Sequence, residues 1–126
     1  MRECLFRGKR LENGAWVEGY LFCQWERAYI LWGTTNGIPD MTEVDPATVG
    51  QYTGLTDKHG KKIFEGEVCR TDDGEVGEIK FVLEHCAFLG YTKNPPAYHY
   101  LESDGKMKAT EVIGNIHDPG LLEATT

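Results

Sequence analysis

Glycine punctuates this chain so regularly that its apolar residues fall into short runs, and this spacing constrains the fold more than any other feature. The runs "EVCRT", "EVGEIKFV", "HCAFLGY" and "AYHYLE" are separated by "DDG", "KNPP" and "SDGK". Short strands at regular intervals, joined by Gly-rich turns, predict a small antiparallel barrel or sandwich. Where a helix start is signalled, with Asp45 as cap and Pro46 as first helical residue, Gly50 follows too soon for more than a single turn.

The N-terminal third reads as a hairpin. In "FRGKRLENGAWVEGYLF", Asn13-Gly14 sits between two strand-like runs, and Asn-Gly is the favoured pair for a two-residue type I′ turn. That turn would place Leu11 opposite Trp16, Lys9 opposite Glu18 and Arg7 opposite Tyr20 on one face, with Phe6 opposite Leu21 and Arg10 opposite Val17 on the other. "QWERAYILWG" supplies a third strand, which the Gly, Pro and Asp residues of "GTTNGIPD" are expected to break. Further on, "EVCRTDDGEVGEIKFV" reads as a second hairpin, with Ile79 and Phe81 on one face and Val76 and Val82 on the other. A last strand spans Val112 to Ile116, followed by a turn at Asp118-Pro119 and one terminal helical turn.

At 126 residues the chain fits one compact domain or two small subdomains, and 40% apolar residues suffice to bury a core. A net charge of -7 argues against a general attraction to nucleic acid or to an anionic membrane. No stretch approaches the roughly 20 apolar residues of a membrane span, and the opening residues lack the apolar segment of a secretory signal, so a cytoplasmic protein is expected. Cys4, Cys23, Cys69 and Cys86 have no paired spacing and read as reduced, mostly buried thiols.

The stretch "GLTDKHGKK", Gly54 to Lys62, resembles a phosphate-cradling loop and fails its requirements. Five residues separate its glycines where four are needed, and Lys62 stands where a magnesium-binding hydroxyl belongs. The loop also leads into a strand, not into the helix N-terminus that a phosphate site uses. Cys69, His85, Cys86 and His99 have ligand chemistry without ligand spacing, so no metal and no cofactor is expected. His85 and Cys86 are adjacent, hence on opposite faces of a strand, and do not form a nucleophile pair. Glu65, Glu67, Asp72, Asp73, Glu75 and Glu78 read as a solvated hairpin with outward glutamates, and no catalytic residue emerges.

Three segments, "FRGKRLENGAWVEGYL", "TVGQYTGLTDKHGKKIFEGEVC" and "VIGNIHDPGLLE", together resemble the YopX family of phage and prophage proteins across nearly the whole chain. His59 stands where Asn is expected, Phe64 where Tyr is usual, and "EGEV" replaces the commoner "EGDI". The resemblance implies a mainly β fold encoded by mobile elements, working in a bacterial host cell, and it transfers no catalytic or binding residue. Gly66, between Ile63 and Val68, suits a bend where a strand enters a small SH3-like barrel. The expected architecture is therefore short-stranded antiparallel sheets: an N-terminal hairpin-based part over 1–50 and a C-terminal small SH3-like barrel over 51–126, together one compact unit.

Two functional readings follow, neither enzymatic. The first is a protein-interaction or self-assembling module, homo-oligomeric or bound to an unknown protein partner, using exposed Trp16, Tyr20, Trp25 and Trp32. The alternative is a nucleic-acid-binding accessory protein using Lys58, His59, Lys61 and Lys62, helped by Arg2, Arg7, Lys9 and Arg10, with Trp16 and Tyr20 available to stack on bases. The acidic charge ranks it second.

Overall fold

The computed structural model describes residues 4–93, 96–101 and 110–118. It is mainly β, with two antiparallel sheets, and the chain divides into two compact units, Met1–Tyr52 and Thr53–Thr126.

The first unit contains β1 (Phe6–Lys9), β2 (Trp16–Gln24), β3 (Arg27–Thr35), β4 (Ile38–Val44) and the first residues of β5 (Gly50–Thr56), in the order β4-β3-β2-β1-β5. Alternation along β2 buries Val17 and Gly19 and exposes Glu18 and Tyr20, the period-two pattern of a sheet with one covered face. Val17, Ala28, Ile30 and Val44 form the core, with Phe6, Leu21 and Val49 packed against it. Fully buried Ile30 and Val44 each contribute about 2 kcal/mol of burial. Gly19 is required by proximity, since a Cβ there would lie 2.1 Å from the Leu31 carbonyl oxygen. The single-turn 3-10 helix Pro46–Thr48 forms as expected, with the Asp45 carboxylate accepting from the Ala47 N–H at 3.0 Å.

The first hairpin departs from the expected register by two residues. Arg7 pairs with Glu18, Gly8 with Val17 and Lys9 with Trp16. The cause is the turn: of Asn13 and Gly14 only Gly14 has positive φ, and Arg10 and Ala15 close a four-residue loop through the Arg10 N–H and Ala15 carbonyl at 2.9 Å. The Asn13 side chain accepts from the Ala15 N–H, which holds the wider loop. A slip of two preserves side-chain parity, so the inward and outward faces are those expected while the cross-strand partners change.

Type I′ geometry occurs elsewhere. Trp25 and Glu26, both with positive φ, join Gln24 to Arg27, and Asn36-Gly37, also both positive, join Thr35 to Ile38. The segment "GTTNGIPD" is therefore a hairpin and not a break. It leads into β4, whose Pro39 is tolerated because β4 is an edge strand.

In the second unit the later part of β5 lies beside β6 (Lys62–Phe64), and β7 (Glu67–Thr71), β8 (Val76–Val82), β9 (Ala87–Lys93), β10 (Pro96–Tyr100) and β11 (Thr110–Asn115) form a sheet ordered β10-β9-β8-β7-β11. Its core joins Ile63, Cys69 and Ile79 with Leu55, Phe88, Leu101 and Val112. The short-stranded antiparallel sheet expected here is present; among the described residues it is open and not closed into a barrel, with β10 and β11 at its edges.

Two details correct the sequence reading of this unit. Glu67, expected to point outward, is 1% exposed. His85 and Cys86 do not lie on a strand: His85 ends the 3-10 turn Leu83–His85 and Cys86 follows with φ of 51°. Both are exposed, as are Cys4 and Cys23, so Cys69 alone of the four thiols is buried. The terminal helical turn and Pro119 lie outside the described residues.

Candidate functional site

The "GLTDKHGKK" loop is organised by its own carboxylate. Asp57, 1% exposed, accepts hydrogen bonds from the backbone N–H groups of His59 and Lys61 through Oδ1, each at 2.9 Å, and from Val112 through Oδ2 at 3.0 Å. Burial pushes this carboxyl up, but the Val112, Lys61 and His59 N–H groups, with the nearby His59 ring, outweigh it and hold the group below the usual carboxylate range. In a phosphate loop such N–H groups would face the ligand, whereas here they are spent on Asp57, whose negative charge would repel an incoming anion. Gly54 and Gly60 have positive φ, and Gly60 donates to the Asp57 carbonyl in a tight turn that feeds β6.

Around this loop the expected cations meet carboxylates. Lys58 Nζ lies 2.8 Å from Asp72, and this hydrogen bond raises the lysine pKa. His59 Nε2 lies 3.4 Å from Glu111, which also accepts from Arg70; the Arg70 bond is the main reason Glu111 sits below its ordinary range. Lys61 is exposed and Lys62 half-buried. Trp16 and Tyr20 belong to the other unit, so the six candidate residues form two groups. Trp16 is half-buried on β2 with the Arg7 guanidinium 4.4 Å and the Lys9 ammonium 5.3 Å from its ring centre. Arg10 lies over Trp32 at 5.6 Å. Arg2 lies outside the described residues.

Tyr20, 62% exposed, is part of a larger arrangement on the first unit. Register puts Tyr20 across from Leu31 and Leu31 across from Met41, with Phe22 across from Tyr29 and Tyr29 across from Glu43. The Phe22 and Tyr29 rings are 6.1 Å apart. These side chains occupy the face of β2, β3 and β4 opposite the core, and Tyr20, Phe22 and Met41 are exposed. At the tip of the β2–β3 hairpin Trp25 is 85% exposed. Arg27, next to it, is raised in pKa by a hydrogen bond with Tyr29 and then by Glu43. Sequence reading singled out Tyr20 and Trp25 but missed Phe22, Tyr29 and Met41. The i, i+2 spacing of Tyr20 and Phe22 was the available signal; Met41 was hidden because β4 was not expected.

No group of three or more His, Cys, Asp or Glu residues placed to hold a metal ion occurs among the described residues. Burial, then the charges of Glu67 and Asp57, pushes the Cys69 thiol up to about 12, which leaves it protonated and unreactive at neutral pH.

The central and C-terminal segments that carry the family resemblance are bound to each other. Lys58 N–H donates to the Thr110 carbonyl, Ile116 N–H to the Gly66 carbonyl and Val112 N–H to Asp57. The buried Asn115 side chain lies against Gly66, where a Cβ would be 3.5 Å from Nδ2, and Gly66 has φ of 89°. A mainly β chain with its central glycine-rich segment clasped in this way to its last described strand is the class these features define. The family model described as YopX protein matches residues 5–123, and the chain belongs to the YopX family. No curated protein matches it. No helix among the described residues is long and apolar enough to cross a membrane.

Proposed function

We propose that this YopX-family chain is a phage- or prophage-encoded protein acting in the cytoplasm of a bacterial host by binding protein, a separate partner or another copy of itself, and not by catalysis. The observation that carries this reading is the outer face of β2, β3 and β4, where Tyr20, Phe22 and Met41 are exposed together beside Tyr29 and Leu31, with Trp25 held out at the hairpin tip. Exposed apolar groups grouped on one face, with Trp, Tyr and Arg among them, have the composition of an interface centre. The turn strengthens the argument, because Trp25 and Glu26 adopt positive φ without glycine, a conformation costing about 1 kcal/mol or more per residue. The nucleic-acid alternative has less support: Lys58 and His59 are matched by Asp72 and Glu111, which lowers the field that phosphates would feel.

Photo-crosslinking residues placed at Tyr20, Phe22 and Trp25 test this in host cells, with Lys80 of the second unit as control. Protein adducts or crosslinked multimers specific to the three face positions are expected, and those at Tyr20 and Trp25 should be lost in Phe22→Glu, which sits at an exposed site and is expected to leave the thermal melt unchanged. Adducts no different from the Lys80 control, or adducts to nucleic acid, would overturn the proposal.

A further inference from the structure

The second unit contains a cavity of about 460 Å3, within the range of small-molecule sites. Its lining comes from one face of the five-stranded sheet and from the β7–β8 turn. Cys69, Ile79 and Leu101 give it an apolar floor; Asp72, Asp73 and Glu75 stand at the turn, and no Lys or Arg is among the described lining residues.

The hollow has an identifiable cause. Interior positions of small β folds are ordinarily filled by side chains. Here Gly77 lies opposite Cys69, and Gly90 lies opposite both Ile79 and His99. Gly90 is not demanded by the backbone: its φ is not in the left-handed region. A Cβ added there would meet only the His99 carbonyl oxygen at 3.9 Å and Leu101 Cδ2 at 4.0 Å, which is ordinary contact. Glycine in a strand interior costs stability and offers no packing. A residue that neither the conformation nor the space requires leaves room beside Ile79 and Leu101 among the described residues.

We propose that this cavity binds an organic cation: an ammonium or guanidinium group at the end of an apolar stem. The stem lies along Cys69, Ile79 and Leu101, and the cation sits toward Glu75 and Asp73. Asp72 contributes less, being paired with Lys58 at 2.8 Å, and Asp73 already accepts from the Thr71 hydroxyl. Glu75 engages its neighbours through its backbone, donating to the Thr71 hydroxyl and accepting from the Thr71 N–H, so its exposed carboxylate is the principal charge. Thr92 and His99, hydrogen-bonded at 3.2 Å, form the polar wall across from it.

Titration of the full chain, isotopically labelled, at constant ionic strength tests the assignment. The probes are n-hexylammonium, n-hexanoate with a similar stem and opposite charge, and Nα-acetyl-lysine amide, whose side-chain ammonium stays free and which distinguishes a free amine from a lysine side chain as the source. Hexylammonium should produce saturable shifts at the amides of Gly77, Gly90 and Thr92, and hexanoate should not. Gly90→Val should fold with an unchanged or higher melting temperature and weaken hexylammonium by about tenfold or more, since its side chain occupies the stem's place. Glu75→Gln, at an exposed position, should weaken the ammonium and not the hexanoate, and it keeps the test decisive if Gly90→Val does not fold. Absence of shifts at the three amides, equal binding of hexanoate, or undiminished affinity in both variants would overturn the proposal.

Discussion

Asp57 shows how one side chain sets the character of a loop. Its carboxylate is buried and accepts three backbone N–H groups, so the ionised form is favoured in the folded chain and its pKa is lowered. A lowered folded-state pKa contributes stability that is fully present above the unfolded value of about 3.9 and is lost as pH falls through the folded one. Asp57→Asn offers one acceptor in place of two and should cost about 2 kcal/mol at pH 7. The gap between the two proteins should narrow below about pH 4, where the carboxyl of the unfolded chain takes up a proton that the folded one still excludes. Denaturant midpoints measured from pH 7 down to pH 3 check both parts; a gap independent of pH would mean that shape and not charge holds the loop.

At the scale of elements, the hairpin turns distinguish folding from use. Asn36-Gly37 has the residues that a type I′ turn favours, whereas Trp25-Glu26 has the same φ signs without them. Replacing Trp25-Glu26 by Asn-Gly should raise stability by about 1 kcal/mol, because the strain is relieved and an 85% exposed Trp has little packing to lose. Equilibrium urea unfolding measures the gain, and no gain would show that the turn is unstrained. The same variant should lose the crosslinks expected at Tyr20 and Phe22, which would separate a residue kept for binding from one kept for the fold.

For the whole molecule, the thiols report on which parts of the chain are closed. Cys4, Cys23 and Cys86 are exposed, and Cys69 is buried with its thiol pushed up to about 12 by burial and by Glu67 and Asp57. A disulfide reagent at pH 8 should therefore titrate three thiols in the native chain and the fourth only with denaturant present. Rapid reaction of all four would place Cys69 at a surface.

Much of this was legible in local chemistry. Turn residues, alternation and the Asp45-Pro46 cap determined a mainly β chain of short antiparallel strands with one helical turn at Pro46–Thr48, because glycine spacing and period-two burial act over a few residues. The inward and outward faces of β1 and β2 were legible for the same reason, since parity survives a two-residue slip. The partners were not. Asn13 turned its side chain to Ala15 and opened a four-residue loop; Glu26 entered a turn that its residue type disfavours; Glu67 was buried in spite of its charge. The outer patch of Tyr20, Phe22 and Met41 depended on β4 pairing with β3, and the cavity depended on Gly77 and Gly90 sharing one face of a sheet. The sequence by itself determined which residues could form strands and turns. Only the tertiary structure decided which strands became neighbours, because that choice rests on burial and hydrogen bonding between residues far apart in the chain.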